Sequence, residues 1–259
     1  MNQEILGDCL EIMPTLSDKS IDLILCDLPY GSTACHWDSI IPFEPLWKQY
    51  RRLIKDNGAI ALTASQPFTS ALVMSNIKMF KYELIWQKTN PSNIALANKQ
   101  PMKYHENICI FYNSQPIYNK QMIQRTDDTM RKAKAKGYVF HNSGSEQTGL
   151  KKIEVHSDRY DADLKNPSSI IPINSLRPNS AEFVKHPTQK PVALFEYLIR
   201  TYTNEGDTVL DNCAGSFTTA IACLNTNRKY ICIEKDEKYF EIGKKRIAEW
   251  LDKKSSELF

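Results

Sequence analysis

Short apolar runs that alternate with segments of helical periodicity constrain the fold of this chain more than any other feature. Seven runs rich in β-branched residues predict buried strands at 4–6, 21–26, 59–63, 82–86, 107–112, 208–210 and 230–233. Helices are predicted at 43–54, 67–76, 191–202, 217–225 and 236–253. This alternation predicts an α/β fold in which a mostly parallel sheet carries helices on both faces.

The stretch 113–180 departs from this alternation. It has few apolar runs, and it contains eleven basic and seven acidic residues in a chain whose net charge is +3. So mild a net charge does not by itself require a nucleic-acid partner, and a solvated surface loop explains the stretch on charge alone. We therefore divide the chain into residues 1–112, an insert at 113–180, and residues 181–259.

The cysteines and the start of the chain bear on its environment. Seven cysteines occur without a Cys-x-x-Cys pair, so neither a zinc site nor a disulfide framework is expected. The first residues lack a basic segment followed by a long apolar stretch, and no run has the length of a membrane span. We expect a cytoplasmic protein with no bound metal and no membrane partner.

The first motif is Asp27-Leu28-Pro29-Tyr30, directly after the strand predicted at 21–26. A carboxylate at the C-terminal end of a parallel strand faces the ligand crevice of an open sheet. Pro29 restrains the backbone so that the Leu28 carbonyl can lie beside the Asp27 carboxylate, and two adjacent acceptors suit an NH₂ group. Tyr30 offers a flat face for a base. Taken alone, the motif is explained at least as well by an ordinary turn with a packed tyrosine.

The second motif runs from Asp211 through Gly215 to Thr219, after the strand predicted at 208–210. Gly215 permits a tight turn where a ligand approaches the backbone, and the hydroxyl groups that follow can cap the next helix. Glu234 ends the following strand, where an acid commonly binds ribose hydroxyls. An ordinary βαβ crossover is the alternative, and the position of Glu234 favours a ligand.

Together these motifs resemble those of the amino-methylating DNA methyltransferases of the circularly permuted β group. Residues 27–30 are similar to the Asp-Pro-Pro-Tyr catalytic motif, and residues 211–219 are similar to the S-adenosylmethionine motif. Residues 186–191, His-Pro-Thr-Gln-Lys-Pro, match the segment that precedes the cofactor motif, and Gly7-Asp8 resembles the family's acidic motif. The order of the motifs is that of the β group, and phage and prophage enzymes are the most similar members.

The resemblance implies a seven-stranded Rossmann-like methyltransferase sheet, mostly parallel with one antiparallel strand, and a target-recognition insert. It implies that strands 208–210 and 21–26 are neighbours and that 107–112 is the antiparallel strand. S-adenosyl-L-methionine is then the cofactor, and double-stranded DNA with a flipped target base is the substrate. The implied reaction is methyl transfer to N6 of adenine. Dimers are common in the group, so a homodimer is expected, and a partner restriction endonuclease is left open.

The resemblance also assigns site residues. The catalytic residues are Asp27, Leu28, Pro29 and Tyr30. The cofactor-binding residues are Asp8, Cys9, Asp27, His186, Thr188, Lys190, Asp211, Cys213, Ala214, Gly215, Ser216, Phe217, Thr218, Glu234 and Lys235. If DNA is bound, the basic excess of the insert predicts phosphate contacts, and the candidates are Arg131, Lys132, Lys134 and Lys136.

Two departures from the family pattern bear on activity. Leu28 replaces the first proline of the catalytic motif. Because the expected acceptor is the backbone carbonyl of this residue, the replacement is expected to be tolerated. Phe217 stands where the family has a second glycine, and its side chain either fills space beside the cofactor loop or weakens cofactor binding. The alternatives are methylation of N4 of cytosine, where the group more often has Ser in place of Asp27, methylation of RNA or of a protein glutamine, and an inactive relative that still binds DNA or cofactor.

Overall fold

The computed structural model describes residues 2–32, 35, 38–130, 161, 163–184 and 186–256. The chain divides into two compact units. The larger comprises Met1–Asn119 with Ser169–Phe259, and the smaller is Lys120–Ser168. Among the described residues no helix combines the length and apolarity needed to cross a membrane.

The described residues form ten strands and six complete α-helices. The strands are β1 (Gln3–Leu6), β2 (Ile21–Asp27), β3 (Ile54–Ala64), β4 (Phe80–Gln87), β5 (His105–Phe111), β6 (Ile123–Gln124), β7 (Leu164–Lys165), β8 (Ile170–Pro172), β9 (Thr208–Asp211) and β10 (Lys229–Glu234). The helices are α1 (Cys9–Ile12), α2 (Phe43–Leu53), α3 (Phe68–Ser75), α4 (Val192–Tyr202), α5 (Thr218–Asn225) and α6 (Glu237–Ser256).

Eight of these strands form one sheet in the order β1-β10-β9-β2-β3-β5-β4-β8. All neighbours are parallel except β5, which is antiparallel to both β3 and β4. The mostly parallel α/β sheet with one antiparallel strand is therefore confirmed. So is the adjacency of β9 and β2, which brings the strands preceding the two motifs side by side.

The predicted strand count of seven was one too low. The eighth strand, β8, pairs in parallel with β4 at the edge of the sheet and lies in a segment that the sequence assigned to the insert. It has three residues, of which only Ile171 is buried, and so short a strand has no detectable periodicity. Strand β8 forms because it pairs with β4, and the local sequence does not encode that pairing.

Helices cover both faces of the sheet, as the alternation predicted. Successive residues of the central strand β2 alternate between two apolar clusters, with Leu23 and Leu25 in one and Ile24 and Cys26 in the other. The first cluster includes residues of α4, α5 and α6, and the second includes residues of α1, α2 and α3. Burial on both faces explains why these strands read as continuous apolar runs.

The boundary of the smaller unit differs from the predicted insert at 113–180. The Asn119 amide donates to the carbonyl of Thr201 in α4, which holds this end of the segment on the larger unit. At the other end β8 belongs to the main sheet. The smaller unit is accordingly Lys120–Ser168, in which β6 and β7 form an antiparallel pair.

Candidate active site

A cavity of about 1320 Å³ lies where β2, β9 and β10 reach their C-terminal ends. This is the edge at which open parallel sheets bind ligands, because the adjacent crossovers leave a crevice there. Every predicted catalytic and cofactor-binding residue lines the cavity except Phe217. The tertiary structure thus brings together the motifs at residues 8–9, 27–30, 186–190, 211–218 and 234–235.

Asp27, the last residue of β2, presents its carboxylate to the cavity with both oxygens engaged. Oδ1 accepts hydrogen bonds from the Tyr30 hydroxyl, at 2.7 Å, and from the Thr63 hydroxyl. Thr63 reaches it because the parallel register places this residue of β3 beside Asp27. Oδ2 accepts a hydrogen bond from Lys190 Nζ at 2.6 Å. The carboxylate therefore has a fixed orientation and a cationic partner.

Tyr30 follows strand β2 and packs against α3. Its ring stacks on Phe68 with the centroids 5.2 Å apart and the planes inclined by 27°. Burial raises the pKa of Tyr30 well above its usual value, and the negative charges of Asp27 and Glu106 raise it further. The hydroxyl is therefore protonated at neutral pH, as its donation to Asp27 requires.

Two lysines and two carboxylates form a connected charge network in the cavity. Lys190 Nζ lies 2.6 Å from Asp27 Oδ2 and 3.4 Å from Glu106 Oε2, and Lys88 Nζ lies 2.8 Å from Glu106 Oε1. The exposed fractions of the side chains are 7% for Lys190 and 5% for Lys88. So deep a pair of cations is tolerated because each faces a carboxylate.

Glu106 and Thr63 are site residues that the sequence prediction missed. Glu106 is the second residue of β5, and it pairs with Trp86 near the end of β4. Because β5 runs antiparallel, its first residues lie at the edge where the parallel strands end. The predicted antiparallel strand at 107–112 was the available signal, since an acid immediately before it must reach the catalytic edge.

The turn after β9 is held by Asp211. Its Oδ2 accepts from the Thr219 hydroxyl, and its Oδ1 accepts from the Cys213 amide at 3.1 Å. Burial is the largest influence on Asp211 and, against these hydrogen bonds, raises its pKa to about 7. Asp211 thus stabilises the shape of the loop between β9 and α5, and with this pKa its carboxyl titrates near neutral pH.

Gly215 and His186 are in close contact on the wall of the cavity. Gly215 has φ of +52°, and a Cβ there would come within 3.1 Å of His186 Nε2. A side chain at this position would therefore be both strained and obstructed. Burial lowers the pKa of His186 to about 4, so the imidazole is neutral at physiological pH.

Glu234, at the end of β10, contacts the same loop. One carboxylate oxygen accepts from the Gly215 amide at 2.6 Å and the other from the Asp236 amide at 2.8 Å. Burial raises the pKa of Glu234, and the backbone hydrogen bonds oppose that effect. Its side chain therefore fixes the glycine loop as well as lining the cavity.

Asp8 and Lys235 form the outer rim on the side of β1 and β10. Asp8 Oδ1 accepts from the Leu10 amide at 2.9 Å, and Oδ2 lies 2.8 Å from Lys235 Nζ. The hydrogen bond from Lys235 lowers the pKa of Asp8. Because Lys235 is largely exposed, this pair orients Asp8 and contributes little stability.

The structure corrects the expectation that Phe217 lies beside the cofactor loop. Its side chain is fully buried between α5 and α6, where it packs edge-on against Phe240 with the ring centroids 5.7 Å apart. Its backbone has φ of +58°, and the residue does not line the cavity. The four basic candidates of the insert, Arg131, Lys132, Lys134 and Lys136, lie outside the described residues.

Comparison with known proteins places this arrangement in a family. Residues 21–245 match the DNA methylase family, and the chain belongs to it. It is 27% identical to the type II methyltransferase M2.MboI of Moraxella bovis, over 94% of this chain and 86% of that protein. It is likewise 27% identical to the DNA adenine methyltransferase YhdJ of Escherichia coli (strain K12), over 93% of this chain and 81% of that protein.

The fold is also that of solved methyltransferase structures. M1.HpyAVI, in a complex with SAM, superposes with a TM-score of 0.62 at 24% identity, covering 95% of this chain and 99% of that one. At this identity the likeness concerns the fold. The cavity described above lies at the end of a sheet with the same architecture as in that structure.

Proposed function

We propose that this DNA methylase transfers a methyl group from S-adenosyl-L-methionine to N6 of adenine in double-stranded DNA. One observation carries the proposal. Asp27 and Leu28 line the same cavity as Gly215, Glu234 and the rest of the predicted cofactor motif, although the two motifs lie far apart in the sequence.

The residues of the cavity fit the cofactor. Gly215 presents backbone without a side chain to the cavity, because a Cβ there would meet His186, and the acidic residues Asp8 and Glu234 line the same cavity. Glu234, at the end of β10, accepts from the ribose hydroxyls in this proposal, and Asp8 caps α1 just after the neighbouring strand β1. The bound cofactor supplies an activated methyl group on a sulfonium, so no nucleophilic protein side chain is required.

The role of Asp27 is to accept a hydrogen bond from the target amine. The amine lone pair is delocalised into the base, and this delocalisation makes it a poor nucleophile. Two acceptors, the Asp27 carboxylate and the Leu28 carbonyl, favour the pyramidal amine and stabilise the positive charge that develops on it. A fixed acceptor acts without reorganisation, and the Tyr30 and Thr63 hydroxyls fix Asp27.

Adenine is favoured over cytosine by the catalytic motif. Asp27 stands where the N4-cytosine enzymes of the group more often have Ser, and the relative YhdJ is named as an adenine methyltransferase. Access of the base to this cavity requires that it leave the duplex, because the acceptors lie at the end of a buried strand. Tyr30, which is packed against Phe68 on α3, provides the aromatic surface of the pocket.

The proposal also covers the role of the insert, the binding partners and the cellular compartment. The insert carries the basic excess of the chain, and we assign to it the phosphate contacts and the choice of sequence. A cytoplasmic homodimer that modifies DNA, alone or beside a restriction endonuclease, completes the proposed role.

The test is to express the chain in a host that lacks N6-methyladenine, digest the DNA to nucleosides and quantify the methylated bases. Long-read sequencing of the same DNA maps the modified positions and yields the recognition sequence. N6-methyladenine at a defined sequence is the expected result, and Asp27→Ala is the matched control that should lack it. N4-methylcytosine in its place would reassign the target base, and no modified base would contradict the proposed activity.

A further inference from the structure

The ammonium of Lys190 stands where a target base has to bind. Its Nζ donates to Asp27 Oδ2 at 2.6 Å and lies 5.7 Å from the centroid of the Tyr30 ring, over that ring. Asp27 is the acceptor and Tyr30 the aromatic surface that the proposed reaction offers to the base. A base amine and this ammonium cannot both occupy the position.

A second acceptor lies directly beside the same ammonium. Glu106 Oε2 is 3.4 Å from Lys190 Nζ, and among the described residues no donor makes a hydrogen bond to that buried oxygen. The other oxygen of Glu106 is held by Lys88 at 2.8 Å, so the carboxylate has a fixed orientation. A buried carboxylate oxygen without a well-formed hydrogen bond is unusual, and a small shift of the ammonium 3.4 Å away would supply one.

Glu106 and Lys190 both keep their charges when the hydrogen-bond partners in this network change. Burial favours neutral Glu106, but Lys190 and Lys88 outweigh it and lower the pKa of Glu106. Burial also favours neutral Lys190, but Asp27 and Glu106 outweigh it and raise its pKa. Lys190 therefore remains an ammonium whether it contacts Asp27 or Glu106, and it does not serve as a base for the target amine.

We propose that Lys190 occupies the target-amine position in the resting enzyme and transfers its hydrogen bond from Asp27 to Glu106 when the base enters. The exchange releases Asp27 Oδ2 for the amine and moves the ammonium away from the positive charge that develops there. Glu106 is thus a positioning residue, which acts on the reaction through Lys190. No bond is made or broken in this step, and all protons stay on their atoms. The inference rests on the proposed function.

The backbone around Lys190 is suited to such a local exchange. The Thr218 hydroxyl donates to the Lys190 carbonyl at 3.3 Å, and Arg246 in turn donates to the Thr218 hydroxyl at 3.0 Å. These contacts anchor the main chain of Lys190 to α5. Only the flexible lysine side chain then has to move between two acceptors that its ammonium already contacts.

The test is a double-mutant cycle with Glu106→Gln and Lys190→Met. The probe is a duplex containing the mapped recognition sequence with 2-aminopurine beside the target adenine, which keeps its 6-amino group. The fluorescence of this neighbouring base changes when the adenine leaves the stack, and the same duplex can be methylated. Glu106→Gln removes the charge that accepts Lys190, so we expect base entry and the single-turnover methylation rate to fall by about tenfold, the effect of one hydrogen bond to a charged group. The dissociation constant for S-adenosylmethionine, measured by calorimetry, should change less than the rate does.

The informative comparison is the second arm of the cycle. In the Lys190→Met background no ammonium blocks Asp27, so Glu106→Gln should cause no further loss of base entry. An equal loss in both backgrounds would show that Glu106 has only a structural role and would overturn the inference. Glu44→Gln, which removes an exposed carboxylate on α2 that does not line the cavity, is the matched control. Wild-type protein that neither methylates nor flips the base would instead overturn the proposed function.

Discussion

The ring of Phe217 packs directly on Gly243 of α6, where a Cβ would come within 2.5 Å of a ring carbon. Phe217 adopts φ of +58°, a conformation that glycine favours and that accounts for the glycine found here in the family. The chain accommodates phenylalanine because the ring is fully buried between Phe240 and a helix position that lacks a side chain. The replacement of the family's glycine by Phe217 is therefore compensated in the core by Gly243, which lies 26 residues further along the sequence.

Substitution Gly243→Ala should destabilise the protein by about 1–3 kcal/mol, the usual cost of overpacking a core. The added methyl group can be accommodated only if the Phe217 ring or α6 moves. Urea denaturation measures the effect, and Phe217→Ala relieves the clash, so the alanine at 243 should cost less in that background. Additive losses in the double variant would contradict the direct contact.

Substitution Phe217→Gly should lower stability and leave cofactor binding nearly unchanged. Removing the ring costs about 3–5 kcal/mol, whereas relief of the backbone conformation returns about 1–2 kcal/mol. Because Phe217 does not line the cavity, calorimetry should give a dissociation constant for S-adenosylmethionine close to that of the wild type. Tighter or much weaker binding in the folded variant would mean that the residue acts on the cofactor site after all.

Asp27→Ala should nearly abolish methyl transfer, since it removes the acceptor of the target amine. Asp27→Asn should retain more activity, because one amide oxygen still accepts. Single-turnover rates should therefore fall in the order Asp, Asn, Ala, with smaller changes in cofactor affinity. A folded Asp27→Ala protein with a near-normal rate would refute the catalytic assignment.

Glu234→Ala should weaken binding of S-adenosylmethionine by about 1–3 kcal/mol, as expected for hydrogen bonds to a charged acceptor. Part of this loss arises because the Gly215 and Asp236 amides lose their partner and the loop relaxes. Calorimetry gives the affinity, and Glu241→Gln on the exposed face of α6 is the matched control. Equal binding by a folded Glu234→Ala variant would remove Glu234 from the cofactor site.

The raised pKa of Asp211 makes stability depend on pH. Burial raises this pKa from 3.8 to about 7, so between these values the folded state holds a proton that the unfolded state has lost. This contribution to the free energy of unfolding is complete below pH 3.8 and is lost as the pH rises through 7. Asp211→Asn should flatten the decline between pH 4 and 7 in urea titrations, whereas exposed Asp56→Asn should not.

The sequence alone determined the fold class and which residues make up the catalytic and cofactor motifs. Strands buried on both faces read as continuous apolar runs, and helices carry one apolar stripe, so local periodicity was sufficient for seven strands and five helices. The order of the motifs identified the family. The side chains at the ends of β2, β9 and β10 could be assigned because parallel strands end at a common edge.

Only the tertiary structure decided the contacts that lack a local signal. Strand β8 exists through its pairing with β4, and Glu106 reaches Lys190 through the antiparallel register of β5. The direction of the Phe217 ring depends on Gly243 in a different helix. In each case the energy comes from residues distant in sequence, and periodicity reports only which face of an element is buried, not what lies against it.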